Sequence, residues 1–215
     1  MTGARAFPIV IAAPSGAGKT SLAQELVRRN QGVVFSISAS TRSPRSGERD
    51  GVDYHFVDEA EFDRLAAAGE FVEWAVVHGR RYGTLRREVE AALASGHTVV
   101  LDIDVQGARQ VRERMPEAVL AFVLPPSGAE LIRRLQSRAT ENSGEQVSRL
   151  AAAAGELSAL AEFDYVVVND ELERAVAQLE AILAAESCRV SRHPGLAESA
   201  AEVAGELRQL MQRSK

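Results

Sequence analysis

At 215 residues, with a formal net charge of −5 and 26% charged side chains, the chain suits one core domain with one or two small insertions, large enough to bury its own core. The acidic balance excludes a general nucleic-acid-binding surface, because no global excess of Lys and Arg is present to displace counterions from a phosphate backbone. No apolar run approaches the ~18 residues of a membrane span and no long apolar segment opens the chain, so neither span nor signal peptide is expected. The single cysteine, Cys188, rules out an internal disulfide and has no metal-ligand spacing around it. A cytoplasmic, reducing setting is the expectation.

The first predicted element is an apolar strand, Phe7 to Ala12, followed by Ala-Pro-Ser-Gly-Ala-Gly-Lys-Thr at 13–20 and an amphipathic helix from Ser21 to Arg29. Strand, glycine-rich turn, helix is the setting that a phosphate-cradling loop requires. Gly16 and Gly18 let successive N–H groups converge on one concave nest, and the positive end of the helix adds to the field there. Lys19 then reaches the β- and γ-phosphates of a nucleoside triphosphate, and the Thr20 hydroxyl is placed to ligate Mg²⁺. The usual pattern opens with Gly; here that position is Ala13, which weakens the match without breaking it.

Further apolar strands are predicted at Val33–Ser36, Thr98–Ile103, Val119–Leu124 and Tyr165–Val168, with helices at Val105–Arg114, Ala129–Ser137 and Glu171–Glu186. Short continuous apolar strands alternating with helices predict an α/β fold, a parallel sheet with helices on both faces. Residues 38–84 break that rhythm. They read as a small, mostly β insertion with one helix, Glu59–Ala68, ended by Gly69. Within it Arg42 and Arg45 stand three apart beside a Pro and a Gly. Alone that spacing describes a solvated turn; with Tyr54 and Tyr82 nearby it suits a clamp for a phosphate monoester. Glu73 is a carboxylate in an apolar strand and accepts hydrogen bonds only, which fits the N1–H and N2–H₂ edge of guanine.

In Leu-Asp-Ile-Asp-Val-Gln-Gly, 101–107, period-two geometry puts Asp102 and Asp104 on one side of a strand end. One suits Mg²⁺ and the other the acceptor nucleotide; the competing reading is that both cap the next helix. Arg134, Arg138 and Arg149 flank or enter a polar segment, Arg138 to Gln146, expected to be irregular and mobile like a lid that closes cations over phosphates. A final helix, Leu196–Met211, carries no chemistry, and packing or self-association is its expected role.

These segments together resemble the guanylate kinase family of nucleoside-monophosphate kinases over about residues 7 to 186. The resemblance rests on APSGAGKTS, STRSPRSGE, DGVDYHF, GEFVEW, RRYGT, LDIDVQGARQV, PPS and DYVVVND in that order. It implies a P-loop core (1–37, 85–130, 158–186), a GMP-binding insertion (38–84), a helical lid (131–157) and a C-terminal helical tail (187–215). It assigns Ala13, Pro14, Ser15, Gly16, Ala17, Gly18, Lys19, Thr20 and Ser21 to ATP, with Asn169 near the adenine. Ser38, Glu73, Thr84 and Asp102 fall to guanine, and Arg42, Arg45, Tyr54 and Tyr82 to the GMP phosphate. Thr20 and Asp104 fall to the metal. Lys19, Arg42, Arg134, Arg138 and Arg149 are its catalytic cations.

The implied reaction is direct in-line transfer from MgATP to GMP (dGMP included), giving ADP and GDP. ATP and GMP are then the expected partners, with a homo-oligomer through the tail as the one macromolecular association left open. Ser46, where Pro is frequent, and Ser137-Arg138-Ala139-Thr140, where a glycine-rich run is usual, depart from the family pattern. The alternative is a non-catalytic guanylate-kinase-like interaction module, which typically lacks a working P-loop. A GTPase is disfavoured because no Asn-Lys-x-Asp motif occurs in the sequence.

Overall fold

The computed structural model of the protein describes residues 4–77, 79–137 and 143–213. Its centre is the strand Pro8–Ala12 (β1), buried along its whole length. Ile9 and Ile11 face one apolar cluster, and Val10 and Ala12 face another. A strand buried on both sides must be apolar at every position, which is why this segment reads as a continuous run rather than an alternation.

The elements that follow are α1 (Lys19–Arg29), β2 (Val33–Phe35), β3 (Ser38–Ser40), β4 (His55–Phe56), α2 (Glu59–Ala67), β5 (Phe71–Val77), β6 (Arg80–Leu85), α3 (Arg86–Ala94), β7 (Thr98–Asp102), α4 (Val105–Arg114), β8 (Val119–Leu124), α5 (Gly128–Ser137), α6 (Ser143–Leu157), β9 (Tyr165–Val168), α7 (Leu172–Ser187) and α8 (Leu196–Arg213). The core sheet runs β2-β7-β1-β8-β9 with every pair parallel. Leu22, Ala23 and Leu26 of α1 and Ala175, Val176 and Leu179 of α7 cover one face. Val89 of α3 and Ala108 and Val111 of α4 cover the other. The expected α/β core with helices on both faces is present. The loop after β1 leaves the sheet at its central strand, where chain connections diverge to either side, the usual location of a ligand crevice.

The insertion forms a second sheet, β4-β3-β6-β5. Phe62 and Leu65 of α2 close its core against Ala39, Phe71 and Leu85. Asp58 caps α2, accepting from the Glu61 N–H at 2.7 Å, and the chain turns out of the helix through Gly69 at φ 71°, as its sequence predicts. The core grips this sheet through α4. Gln110 exchanges two hydrogen bonds with the Trp74 backbone, at 2.8 and 3.2 Å, and Arg114 donates to the Phe71 and Val72 carbonyls at 3.2 and 2.9 Å. A glutamine amide carries the same donor–acceptor pair as a peptide, so it substitutes for a neighbouring strand at this edge.

Two helices differ from the sequence reading. α3 is hidden by Arg86, Arg87, Glu88 and Glu90, and only Val89 is fully buried. α6 begins at Ser143, inside the segment expected to be irregular. The alanine run Ala151 to Ala154 within it is a strong helix signal that the polar composition obscured. Residues 138–142, and the expected role of Arg138 with them, lie outside the described residues. The tail is anchored by Arg192, whose guanidinium lies 4.0 Å from the Phe7 ring centre and donates to the Glu117 carbonyl and to Glu186. α8 extends beyond that anchor with no buried residue. Among the described residues no helix is long and apolar enough to cross a membrane.

Candidate active site

The glycine-rich loop is shaped by its backbone. Gly16 and Gly18 take φ values of 86° and 91°, a region that L side chains avoid. The Ala17 N–H closes a turn onto the Pro14 carbonyl at 3.0 Å. α1 starts at Lys19 with Gly18 as its N-cap, no side-chain cap and no acidic residue in the first turn. Its opening N–H groups are thus left for an anion. From below, Asn169 donates to the Ala17 carbonyl at 2.7 Å, while Arg134 donates to that carbonyl at 3.3 Å and to the Asn169 carbonyl at 3.2 Å. Leu135 of α5 packs so close to Gly16 that an added Cβ there would lie 3.0 Å from it. Above the loop opens a cavity of about 380 Å³ lined by Ala13 to Gly16, Gly18 to Ser21, Asp104, Arg149 and Glu156.

Lys19 donates to the Ile103 carbonyl at 2.8 Å and pairs with Asp102 at 2.6 Å. The Thr20 hydroxyl donates to the other Asp102 oxygen at 2.8 Å. Asp102, at the end of β7, therefore orients both chemical side chains of the loop. Asp104 caps α4, accepting from the Gly107 N–H at 2.8 Å, and still lines the cavity. The capping reading thus holds for Asp104 and not for Asp102.

A second cavity, of about 200 Å³, is lined by Ser38, Tyr54, Glu73, Ala75, Tyr82, Asp102 and Ile103, and shares Lys19, Val77 and Asp104 with the first. Strand register builds its floor: Ser38 pairs with Thr84, and Thr84 with Glu73, across β3, β6 and β5. A bulge between Phe71 and Glu73 puts Glu73, not Val72, opposite Thr84. Glu73 is 4% exposed and accepts from the Thr84 hydroxyl at 2.6 Å. Burial pushes its carboxyl up to about 7, against the opposing pull of that hydrogen bond. Thr84 is itself fully buried behind it.

Arg42 stacks over Tyr54 at 4.7 Å and grips Glu48 with two 2.6 Å hydrogen bonds. Glu48 also accepts from the Arg45 N–H at 2.7 Å, and the two arginines hold its carboxyl down at about 2. Tyr82 meets Tyr54 edge-on, ring centres 6.1 Å apart, while the Arg45 side chain is exposed. Two cavities thus meet at one lysine: one above a nest of loop N–H groups, and a slot with a buried carboxyl group at its base and a cation beside two phenols.

Comparison with known proteins agrees. The guanylate kinase family model matches residues 5–186. The chain is 50% identical over 197 residues to the guanylate kinase of Alkalilimnicola ehrlichii, covering 91% of this chain and 97% of that protein. It is 53% identical over 183 residues to that of Anaeromyxobacter dehalogenans, covering 84% and 81% respectively. The chain belongs to the guanylate kinase family. Its activity is the phosphoryl transfer for which the family is named. The fold superposes on the crystal structure of guanylate kinase from Anaplasma phagocytophilum with a TM-score of 0.76 at 36% identity, over 92% of this chain and 95% of that one. The interaction-module alternative is not favoured.

Within this guanylate kinase frame several residues act that the sequence reading did not single out. Glu48 fixes the Arg42 fork, and Glu156 reaches the loop from α6. Gly107 lets the first turn of α4 pass Glu73: a Cβ there would lie 2.6 Å from the Glu73 carboxylate. Gly107→Ala is therefore expected to displace Glu73 and raise the KM for GMP about tenfold or more, since small misplacements of a positioning group cost up to ~10²-fold. An unchanged KM for GMP would show that Glu73 does not depend on this close approach.

Asn169 is buried, and its amide is engaged with the loop backbone. Asn169→Ala should destabilise the protein by about 1–2 kcal/mol by leaving the Ala17 carbonyl without its main partner. It should also raise the KM for ATP. A variant with the wild-type melting temperature would remove Asn169 from that supporting role.

Proposed function

We propose that this chain passes the γ-phosphoryl group of ATP directly to the phosphate of GMP, with the donor above Ser15–Thr20 and the acceptor in the cavity based on Glu73. The observation that carries the reading is the meeting of the two cavities at Lys19. The loop N–H groups hold the donor phosphates, and Lys19, held by Asp102 and the Ile103 carbonyl, follows the charge that develops on the moving group. Ionised Glu73 accepts from N1–H and N2–H₂ of guanine, with Ser38 and Thr84 supporting it. Arg42, Arg45, Tyr54 and Tyr82 grip the acceptor phosphate. Its oxygen is already anionic, so no general base and no covalent enzyme intermediate are needed. Arg134 keeps the loop in shape, and Arg149 faces the donor cavity.

Nucleotide kinases of this kind generally use Mg²⁺, and the residues present fit it. Thr20 and Asp104 present oxygen donors to the donor cavity, and no all-protein cluster of metal ligands occurs among the described residues. That suits an ion held chiefly by phosphates and water. When bound, the ion neutralises charge between the phosphates.

The division of labour we propose is a core (1–37, 85–130, 158–186), an acceptor-binding insertion (38–84) and a lid (131–157), with the protein working in the cytoplasm. The test of direct transfer is a single turnover with γ-labelled ATP and GMP: label appears on GDP and never on the protein. Labelled protein formed fast enough to precede GDP would refute it.

A further inference from the structure

Four groups of the phosphate machinery described above are already met by a carboxylate of the protein itself: Lys19 by Asp102, Arg42 by Glu48, Arg134 by Glu130 and the Ser15 N–H by Glu156. Asp102 orients Lys19 from the core sheet, and Glu48 and Glu130 lie within a few residues of the groups they hold. The fourth contact is different in kind. Glu156 comes from α6, and its carboxylate accepts from the N–H of Ser15, the first residue of the nest, at 3.2 Å across 141 positions of sequence. We infer that Glu156 is an internal anion seated at the mouth of the phosphate loop, which the phosphates of the donor must displace. This rests on the reading of Ser15–Thr20 as the donor-phosphate loop.

Glu156 lines the same cavity as the loop, and so do Ala152 and Arg149, four and seven residues before it on one face of α6. Among the described residues Asp104 repels it and Lys19 attracts it, and its own burial also opposes its ionised form. A half-buried carboxylate turned toward another carboxylate is an unfavourable place for charge, and what offsets it is the N–H of a nest built to take anions. A triphosphate brings several negative charges into that nest. The two anions cannot share it at hydrogen-bond distance, so donor binding drives the Glu156 carboxylate off Ser15. By reciprocity, whatever holds Glu156 on the loop weakens donor binding. The contact therefore lowers donor affinity.

The test uses Glu156→Gln and Glu156→Ala in the full chain, titrated calorimetrically without magnesium against inorganic tripolyphosphate, ADP and adenosine. Gln keeps an acceptor of the same shape and removes the charge; Ala removes both. Both variants should bind tripolyphosphate and ADP about 3- to 10-fold more tightly than the wild type, the scale of one charge-assisted hydrogen bond near solvent. Adenosine, which has no phosphate, should bind all three proteins alike. Unchanged or weaker tripolyphosphate binding by both variants overturns the inference, as does an equal gain for adenosine. Lys19→Ala separates the premise: if it binds tripolyphosphate as the wild type does, the phosphates are not in this loop and the reading beneath the inference fails. Ligand-free melting temperatures of both Glu156 variants close to the wild-type value are expected, because only one exposed contact is lost.

Discussion

Replacing Lys19 by alanine is expected to lower kcat by about 10³-fold with little change in the KM for GMP. Removing one preorganised donor at a site of developing charge typically costs 10² to 10³ in rate, and here a full positive charge leaves as well. The geometry concentrates the effect. The ammonium is fixed by the Ile103 carbonyl and Asp102, so it spends no energy on reorganisation when charge moves toward it. It also stands at the junction of the two cavities, where no other described cation lines both. Lys19→Arg should recover little, because a planar fork does not fit a point-charge position held by one carbonyl and one carboxylate. Steady-state rates at saturating ATP and GMP give the answer. A kcat within tenfold of the wild type would remove Lys19 from the transition state.

The second large effect is expected at Glu73. Glu73→Gln should lower kcat/KM for GMP about 10²- to 10³-fold. A site built to accept two guanine N–H groups then presents an amide N–H to one of them, and buried polar groups left unmatched are what make such discrimination steep. Selectivity against AMP should collapse in the same variant. The wild type carries a pH signature too. The carboxyl is raised to about 7 by burial, so it is increasingly protonated as pH falls below that value, and its acceptor capacity goes with the charge. GMP affinity relative to the Glu73→Gln variant should fall toward tenfold per pH unit below about 7 and level off above it. Comparison with the variant cancels the titration of the GMP phosphate itself. A wild-type to variant ratio that stays flat from pH 5.5 to 8 would contradict the role of ionised Glu73.

The same raised pKa has a stability consequence of opposite sense. A carboxyl whose folded value lies above its unfolded value of about 4.5 contributes stability in its neutral form, and that contribution is lost as pH rises through 7. Glu73 in the free protein is thus held in a state that favours ligand binding above neutrality at the expense of stability.

What the sequence made legible is local. The glycine-rich loop announces itself because strand, turn and helix follow one another, and the α2 cap at Asp58 and exit at Gly69 are likewise written in adjacent residues. What it hid is set by pairing at long range. Asp102 lines the cavity of Glu73, and the sequence does not show that it also meets Thr20 and Lys19 more than 80 positions away. The hydrogen bond from the Asn169 amide to the Ala17 carbonyl spans 152 positions and leaves no trace in local sequence. The bulge that turns Glu73 to face Thr84 depends on the register of β5 against β6, which period-two counting along one strand cannot supply. Gly107 is an ordinary helix residue until the approach of Glu73 is known. α3 escaped because its exposed face dominates its composition, and a helix that buries a single side chain gives little periodic signal.

The central claim, that two adjoining cavities select ATP as donor and GMP as acceptor, is tested most directly by ADP release from MgATP with GMP, AMP, CMP and UMP as parallel acceptors. Turnover with GMP and at least a hundredfold lower kcat/KM with each of the others is the predicted result. Comparable turnover with AMP or a pyrimidine monophosphate, or tight binding of ATP and GMP with no ADP formed, would contradict it.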